Sequence, residues 1–345
     1  MRLFYFFINC ASPQERLEAA IQAGDLEDTK KAIADKADLE AELQKNITPL
    51  ELAIKKNKLD IVKLLIEKGA NVNPTKAESG YTPLHVAAIN NRLEIAKYII
   101  EKGSNINAQT KFGTTPLHHA AEKGSYEVAQ LLIEKGADLN LSDKKGQSPL
   151  LWAIDKEKPK LAKLLITKGA DIKGRTDIGW TPLYSACFGN DADLVKTLID
   201  KGADVNAKSI TLETPLHVSV HSFEITKLLL AKGANKKAEN DKGELPIDKA
   251  RKEGNPTVLR LLGASEDEIA KAISNKERKE EREKEAESNQ EERETSNTRY
   301  IETCKRQCTS NLNTCRLAQS GDAAEKLKQE VKCVFEHSSC NDKCK

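Results

Sequence analysis

Thr115-Pro116-Leu117-His118-His119-Ala120-Ala121 is one copy of a segment that recurs along the chain at an almost constant interval. Its first three residues, Thr-Pro-Leu or a close variant, begin at seven positions: Thr48, Thr82, Thr115, Ser148, Thr181, Thr214 and Leu245. The intervals between them are 34, 33, 33, 33, 33 and 31 residues. A period of this size is typical of a solenoid, in which stacked units bury their apolar faces against one another. Such a chain forms one extended surface, which suits binding.

Each copy predicts a pair of helices. Thr115 is placed to cap a helix N-terminus, and Pro116 suits the first helical position, where its missing N–H costs nothing. Gly124 is predicted to end this helix, and a second helix is predicted to begin near Tyr126. Gly136 then stands where a helix commonly ends in the left-handed conformation. The unit is therefore a helix-turn-helix.

This unit resembles the ankyrin repeat. Six copies keep both the Thr/Ser-Pro-Leu start and a Lys-Gly-Ala or Lys-Gly-Ser close. A seventh copy at Leu245 keeps the proline, and an eighth at residues 13–43 lacks it but keeps Leu17-Glu18-Ala19-Ala20. Divergent end units are expected, because each faces water on one side. The resemblance implies an all-α fold, with an ankyrin-repeat solenoid of about eight helix-turn-helix repeats over residues 13–265.

The remainder of the chain divides by composition. Residues 1–12 form a signal-like start, residues 266–303 a linker of mixed charge, and residues 304–345 a cysteine-rich helical hairpin. Opposite charges four residues apart, such as Glu280 and Lys284, support an exposed helix. The linker is therefore either one long helix or a fraying charged segment, and its mixed charge favours a spacer over a binding tail.

Two copies depart from the pattern. The copy at Thr214 is two residues short and has no glycine after its first helix, so its helix–helix turn is predicted to be tight or distorted. In the copy at Ser148, Pro159 falls where the second helix begins, which the first turn of a helix tolerates.

The histidines do not indicate catalysis. His85, His118 and His217 recur at one repeat position, where the ankyrin resemblance implies hydrogen bonds from the ring to neighbouring backbone. His119, His221 and His337 are interpreted as isolated. No phosphate-binding glycine loop, His-Glu-x-x-His motif or EF-hand loop is present in the sequence. The sequence therefore predicts no enzyme, no cofactor and no metal site.

The overall charge argues against a dedicated nucleic-acid binder. The 55 basic and 53 acidic side chains give a formal net charge of +2, whereas such binders concentrate basic charge. Aromatic residues make up only 4% of the chain, a poor basis for stacking single-stranded bases. No apolar run approaches the roughly 20 residues needed to cross a bilayer.

The first twelve residues resemble a bacterial lipoprotein signal. Arg2 precedes the apolar run Leu3 to Ile8, and Phe7-Ile8-Asn9-Cys10 is similar to a relaxed lipobox. The resemblance implies lipidation of Cys10. The run is shorter than the usual 7–15 residues, and Asn9 replaces the common small residue. The alternative is an N-terminal flap that packs on the first repeat.

Six of the eight cysteines lie in the last 42 residues, with the palindromic spacing C-x3-C-x6-C-x17-C-x6-C-x3-C. On a helix, offsets of 0, 4 and 11 residues fall within about 40° of one another. Each triplet therefore forms a stripe, and two antiparallel helices would align three pairs. The predicted disulfides are Cys304–Cys344, Cys308–Cys340 and Cys315–Cys333. The alternative is metal ligation by some of these thiolates, together with His337.

Disulfides indicate an oxidising compartment. Together with the lipobox-like start, they predict a bacterial envelope protein in the periplasm, held at the membrane by an N-terminal lipid. The alternative location is secretion or the mitochondrial intermembrane space, whose twin-cysteine proteins share only the stapled-hairpin architecture. Cys187 stands apart from the six. It takes a small position of the repeat and is predicted to be a buried, inert thiol.

In ankyrin proteins, partners usually meet the concave face, which consists of the turn tips and the exposed side of the first helices. Apolar side chains recur there at positions that the repeat core does not need. Just before the tip residues, the equivalent positions are assigned to Phe112, Lys145, Ile178 and Ile210. The predicted partner-binding residues are Tyr81, Ile89, Phe112, Lys145, Ile178, Trp180 and Phe188. Trp152 is predicted to pack in the core instead, because sister repeats have Val86 and Val218 at its position.

Two functions of different classes follow. The first is a non-catalytic scaffold that binds an envelope protein through the concave face. The alternative is a metal-binding or redox accessory protein that uses the C-terminal cysteines. Bound metal or free thiols in the native protein would favour the second function.

Overall fold

The computed structural model of the chain describes residues 11–43, 47–74 and 80–317. Within these ranges the regular elements are all helices, apart from one isolated antiparallel bridge between Leu43 and Ile47. The helices form eight pairs, followed by the long helix α17 (Glu266–Leu317). The pairs are α1 (Pro13–Ala23) and α2 (Leu26–Ala34), α3 (Pro49–Lys55) and α4 (Leu59–Glu67), α5 (Pro83–Ile89) and α6 (Leu93–Glu101), α7 (Pro116–Lys123) and α8 (Tyr126–Glu134), α9 (Pro149–Asp155) and α10 (Pro159–Thr167), α11 (Pro182–Phe188) and α12 (Ala192–Asp200), α13 (Pro215–Val218) and α14 (Phe223–Ala231), α15 (Pro246–Glu253) and α16 (Pro256–Leu262).

The caps predicted from the sequence are confirmed. The Thr115 hydroxyl accepts a hydrogen bond from the backbone N–H of His118, and Pro116 opens α7. Gly124 ends the same helix with φ 71°, a left-handed conformation in which its missing Cβ avoids a steric penalty. The leucine that follows each motif proline is fully buried in six copies: Leu50, Leu84, Leu117, Leu150, Leu183 and Leu216.

The pairs stack in chain order, first helix on first helix and second on second. Small residues make the close approach of the first helices feasible. Ala87 and Ala88 of α5 and Ala120 and Ala121 of α7 are completely buried. Cys187 takes the second of these positions in α11, is equally buried, and forms no disulfide, as predicted. Burial raises the pKa of its thiol, which keeps it protonated and inert.

Pro159 is tolerated as predicted, whereas the short copy loses residues from its first helix and not from the turn after it. In the short copy, α13 contains only four residues, Pro215–Val218. Its turn is closed by Thr226, whose hydroxyl donates to the Ser219 carbonyl at 2.9 Å. Pro159 is the first residue of α10, where the helix does not need its N–H.

The turns between consecutive pairs, such as residues 110–114 and 176–180, each have five residues and are called the tips. Neighbouring tips are joined by backbone hydrogen bonds. The N–H of Lys144 donates to the Phe112 carbonyl at 2.9 Å, and the N–H of Asp177 donates to the Lys145 carbonyl at 2.9 Å. The next bond, at 3.1 Å, runs from the Ile210 N–H to the Ile178 carbonyl. These bonds hold neighbouring tips at a fixed spacing along one edge of the repeat array.

Contacts divide the chain into residues 1–269 and residues 270–345. In the second unit the charged segment forms part of the continuous helix α17, with i,i+4 ion pairs Lys276–Glu280 and Lys279–Glu283.

Over the described ranges, the chain has no helix with the length and apolar character needed to cross a membrane. Several predicted positions lie outside the described residues, or have side chains that do: Cys10, Cys304, Cys308, Cys315, Cys333, His337, Cys340 and Cys344.

A ladder of side-chain acceptors joins the loops after the second helices. The Asn73 side chain accepts from the Asn105 N–H at 2.8 Å, and Asn140 accepts from the Asp171 N–H at 2.9 Å. One junction breaks the ladder, because Lys173 stands at the equivalent position and lysine has no acceptor.

This ladder gives a test of how the repeats are coupled. Asn140→Ala is expected to lower the free energy of unfolding by about 1 kcal/mol, since it removes the acceptor of a backbone amide. Lys173→Asn restores an acceptor at the broken junction and is expected to raise it by roughly 0.5–1 kcal/mol. Urea denaturation followed by circular dichroism measures both. Equal stability of the two variants would show that the ladder does not couple the repeats.

Candidate functional site

Three histidines join one repeat to the next. The ring Nδ1 of His118 accepts a hydrogen bond from the Thr115 N–H at 3.0 Å, so its proton is on Nε2, which donates to the Gln147 carbonyl at 3.0 Å. His85 bonds in the same way to the carbonyl of Thr114, and His217 to that of Glu244. Each ring therefore ties the start of a first helix to the tip of the following repeat, which confirms the structural role expected of these histidines.

The repeat at Thr181 makes the equivalent link with another side chain. Tyr184 stands at the histidine position, is buried, and donates its hydroxyl to Glu213 Oε2 at 3.0 Å. Lys249 forms an ion pair with the other carboxylate oxygen of Glu213 at 2.7 Å. Burial raises the pKa of Tyr184, which keeps the phenol protonated and able to donate.

A groove of about 370 Å³ lies between the tips and the first helices of the third to fifth repeats. Tyr81, Phe112 and Trp152 contribute aromatic walls, and Lys144 and Lys145 lie on its rim. Other lining side chains are Thr114, His119, Glu122, Asp143, Gln147, Asp155 and Lys156. We call this site the groove. Its volume is at the low end of the roughly 300–1,000 Å³ of typical ligand pockets.

His119 is central to the groove, so its interpretation as an isolated residue was wrong. Its ring centroid lies 5.2 Å from that of Tyr81, 5.6 Å from that of His85 and 5.7 Å from that of Trp152. Its Nε2 is 3.0 Å from the Thr114 hydroxyl. Burial lowers the pKa of His119, and the groove therefore contains a neutral imidazole at neutral pH.

Trp152 was also misplaced by the sequence comparison with Val86 and Val218. It is half-buried, lines the groove, and donates its indole N–H to Asp143 Oδ2 at 3.0 Å. Residues 119 and 152 are equivalent positions in consecutive repeats. Stacking must bring equivalent positions of consecutive repeats together. The contact between His119 and Trp152 could therefore have been predicted from their 33-residue spacing.

A second group, the aromatic patch, consists of Ile178, Trp180 and Phe188. Phe188 is 59% exposed and lies 5.5 Å from the Trp180 ring, which in turn lies 5.0 Å from Tyr184. Ile178 is 45% exposed at the tip. The aromatic patch and the groove adjoin, because the tips that carry Lys145 and Ile178 are neighbours joined by a backbone hydrogen bond.

The predicted binding residues thus fall into two adjoining groups and one outlier. Tyr81, Phe112 and Lys145 belong to the groove, and Ile178, Trp180 and Phe188 to the aromatic patch. Ile89 is half-buried at the end of α5 and lines neither.

The position assigned to Ile210 needs correction. Its N–H donates to the Ile178 carbonyl, as the N–H of Asp177 does to Lys145, so Ile210 is equivalent to Asp177 and not to Ile178. The glycine position of this tip is occupied by Leu212, with φ 58°. Gly113 and Gly179 occupy it in sister tips, with φ 80° and 76°. Leu212 was not among the predicted binding residues.

A family model described as ankyrin repeats in three copies matches residues 17–110, 80–143, 103–176 and 136–209, together more than half of the 345 residues. The chain belongs to the ankyrin repeat family. No curated protein matches it. Ankyrin repeats generally mediate protein–protein interaction and are typically non-catalytic. In the described part of this array, no group of three or more His, Cys, Asp or Glu residues is placed to hold a metal ion.

The histidine links predict a pH-dependent stability. Burial lowers the pKa of His85 and of His118 to about 4, from the ordinary 6.5. Between these values the unfolded chain binds more protons than the folded chain, so the links contribute fully above pH 6.5 and are lost as the pH falls toward 4. Protonation of each histidine is expected to lower the free energy of unfolding by about 3 kcal/mol over this range. Urea denaturation at successive pH values measures this loss.

His118→Asn is the matched variant. It removes one titrating ring, and we expect lower stability at pH 7 but a shallower decline on acidification. Parallel stability curves for the two proteins would contradict the assignment of the pH dependence to these links.

Proposed function

We propose that this ankyrin array is a non-catalytic scaffold that binds a protein partner through its concave face, with the groove and the aromatic patch as the contact region. The proposal rests on the positions of the exposed apolar side chains. Of the eight large apolar side chains exposed in the described chain, five are on tips or at the end of a first helix: Phe112, Ile178, Phe188, Ile210 and Leu212. Aromatic and aliphatic anchors of this kind dominate interface energies.

The other three exposed apolar residues follow a different pattern. Leu93, Tyr126 and Phe223 are each the first residue of a second helix, where they recur singly at one repeat position. Single exposed apolar side chains are ordinary on a protein surface. Four of the other five residues are instead concentrated on neighbouring tips, and the fifth, Phe188, ends a first helix beside them, which supports a contact surface there.

Leu212 adds an independent reason. A left-handed conformation costs an ordinary residue roughly 1–2 kcal/mol, and glycine avoids this cost. The chain nevertheless has a leucine there, 42% exposed, beside Ile210, which is 65% exposed. A strained position occupied by an exposed apolar side chain favours a function for that side chain over a role in stability.

Leu212→Gly tests this reasoning. Because the strain is relieved, the free energy of unfolding is expected to rise by roughly 0.5–1 kcal/mol, whereas partner binding is expected to weaken. Urea denaturation and quantitative recovery of the native partner measure the two effects. Gly243→Leu is the matched control, since nothing lies within 4 Å of the added Cβ. It is expected to lower stability through strain alone and to leave binding unchanged. Unchanged binding by Leu212→Gly would remove Leu212 from the contact surface.

Phe188→Ser tests the aromatic patch. The side chain is 59% exposed, so the change is expected to leave stability within about 0.5 kcal/mol. Partner recovery is expected to fall at least tenfold if Phe188 is an anchor. Phe223→Ser, at an exposed second-helix position, is the matched control and should retain full recovery. Equal recovery by both variants would exclude the aromatic patch as the contact region.

We propose further that the partner is an envelope protein and that the scaffold acts at a bacterial membrane surface. Support comes from the lipobox-like Phe7-Ile8-Asn9-Cys10 and from the palindromic cysteines, whose three predicted pairs suit an oxidising compartment. Disulfides would stabilise a hairpin that has few apolar residues of its own.

Intact mass of the protein from its native cells tests this location. With thiol blocking before and after reduction, we expect a mature chain that begins at a lipid-modified Cys10 and six cysteines that react only after reduction. An unprocessed chain with reactive or metal-bound C-terminal thiols would overturn the envelope proposal and favour the metal or redox alternative.

A further inference from the structure

The carboxylates around the groove are occupied by internal contacts. Asp143 accepts from the N–H groups of Lys145 and Gln147 at 2.8 and 2.9 Å, and from the Trp152 indole at 3.0 Å. Glu122 lies 3.4 Å from His119 Nδ1 and 3.1 Å from the Lys123 ammonium. Glu122 is therefore offset by a cation, whereas Asp143 is bonded only to neutral donors and keeps its negative charge.

The lysines of the rim differ from these carboxylates. Lys144 and Lys145 are exposed and form no ion pair with any residue that the structure describes. Lys111, on the neighbouring tip, lies over the Phe112 ring at 5.3 Å from its centroid. The exposed Asp155 is paired with Lys156 at 3.0 Å, so these two charges offset one another. Asp143 is the one lining carboxylate without a cationic partner among the described residues, so Lys144 and Lys145 leave the rim with a net positive charge beside the aromatic walls of the groove.

The volume of the groove limits the size of the ligand that it can bind. About 370 Å³ between aromatic walls accommodates one or two side chains, and the bulk of a helix would remain outside. The Trp152 N–H is already bonded to Asp143, so the ring offers apolar surface to a ligand. An aromatic or large aliphatic side chain fits this surface, because aromatic pairs add stabilisation beyond their buried area.

We infer that the groove binds an acidic segment of a partner protein, in which one aromatic or large aliphatic side chain enters between Phe112 and Trp152 while flanking carboxylates meet Lys144 and Lys145. The inference rests on the proposed function and adds the chemistry of the partner to it. Such a ligand matches both the apolar recess and the charge of the rim.

The test uses a displayed library of randomised twelve-residue peptides, selected on the full chain and on a Lys144→Glu, Lys145→Glu variant. Peptides enriched on the natural chain are expected to be acidic, with one aromatic or large aliphatic residue. Those enriched on the variant are expected to lose the acidic bias and keep the apolar residue. An individual acidic peptide should bind the variant about tenfold or more weakly, and salt should weaken its binding to the natural chain. Both lysines are exposed, and thermal melting by circular dichroism checks that the variant is folded.

A second variant separates the inference from the proposed function. Phe112→Ala, with its exposed ring removed, should bind every enriched peptide at least tenfold more weakly. If the peptides require Phe112 but are neutral or basic, the acidic inference is overturned and the scaffold function stands. If no peptide depends on Phe112, both the inference and the use of the groove are overturned. Equally tight, lysine-dependent binding of single-stranded oligothymidylate would also overturn the inference, because the rim would then select polyanions and not a protein segment.

Discussion

Each repeat of this chain has an apolar face that only a neighbouring repeat can cover. The buried motif leucines and the alanine pairs of the first helices are the direct result, since the helices must approach closely to exclude water. The histidine links have the same origin. Because the ring of His85 or His118 spans from one repeat to the tip of the next, the packing of the helices fixes the tips as well. Stability and the geometry of the surface are therefore set by one set of nearest-neighbour contacts.

Once the tips are fixed, their side chains are free to differ. The structural positions of the tips are satisfied by backbone hydrogen bonds between neighbours, which place no demand on the side chains of Phe112, Lys145 or Ile178. In this chain those positions are occupied by aromatic, aliphatic and basic residues. The strained Leu212 shows the same separation most clearly, because a glycine there would serve the fold better. A rigid frame with variable tips is well suited to recognition, since little order must be gained on binding.

The sequence predicted the helices and their caps because these features depend on residues close together in the chain. The sequence-based prediction failed for contacts that form only when the repeats stack. His119 and Trp152 lie 33 residues apart and meet only because equivalent positions stack. The register of Ile210 is an exception, because the regular period places it correctly: it lies 33 residues after Asp177 and only 32 after Ile178. The groove, made from side chains of three repeats, could be anticipated as a set of positions, whereas its charge balance depends on which carboxylates are paired with a cation, as Glu122 and Asp155 are.

The central claim is that a protein partner contacts the tips and first helices. Site-specific photo-crosslinking in native cells tests it most directly, with a photoreactive phenylalanine analogue placed singly at Phe112, Phe188, Tyr126 and Phe223. All four side chains are exposed, so the probe disturbs the fold at none of them. We expect one protein to be crosslinked from positions 112 and 188 and not from positions 126 and 223. Crosslinking of that protein from 126 and 223 alone, or equally from all four positions, would contradict the account.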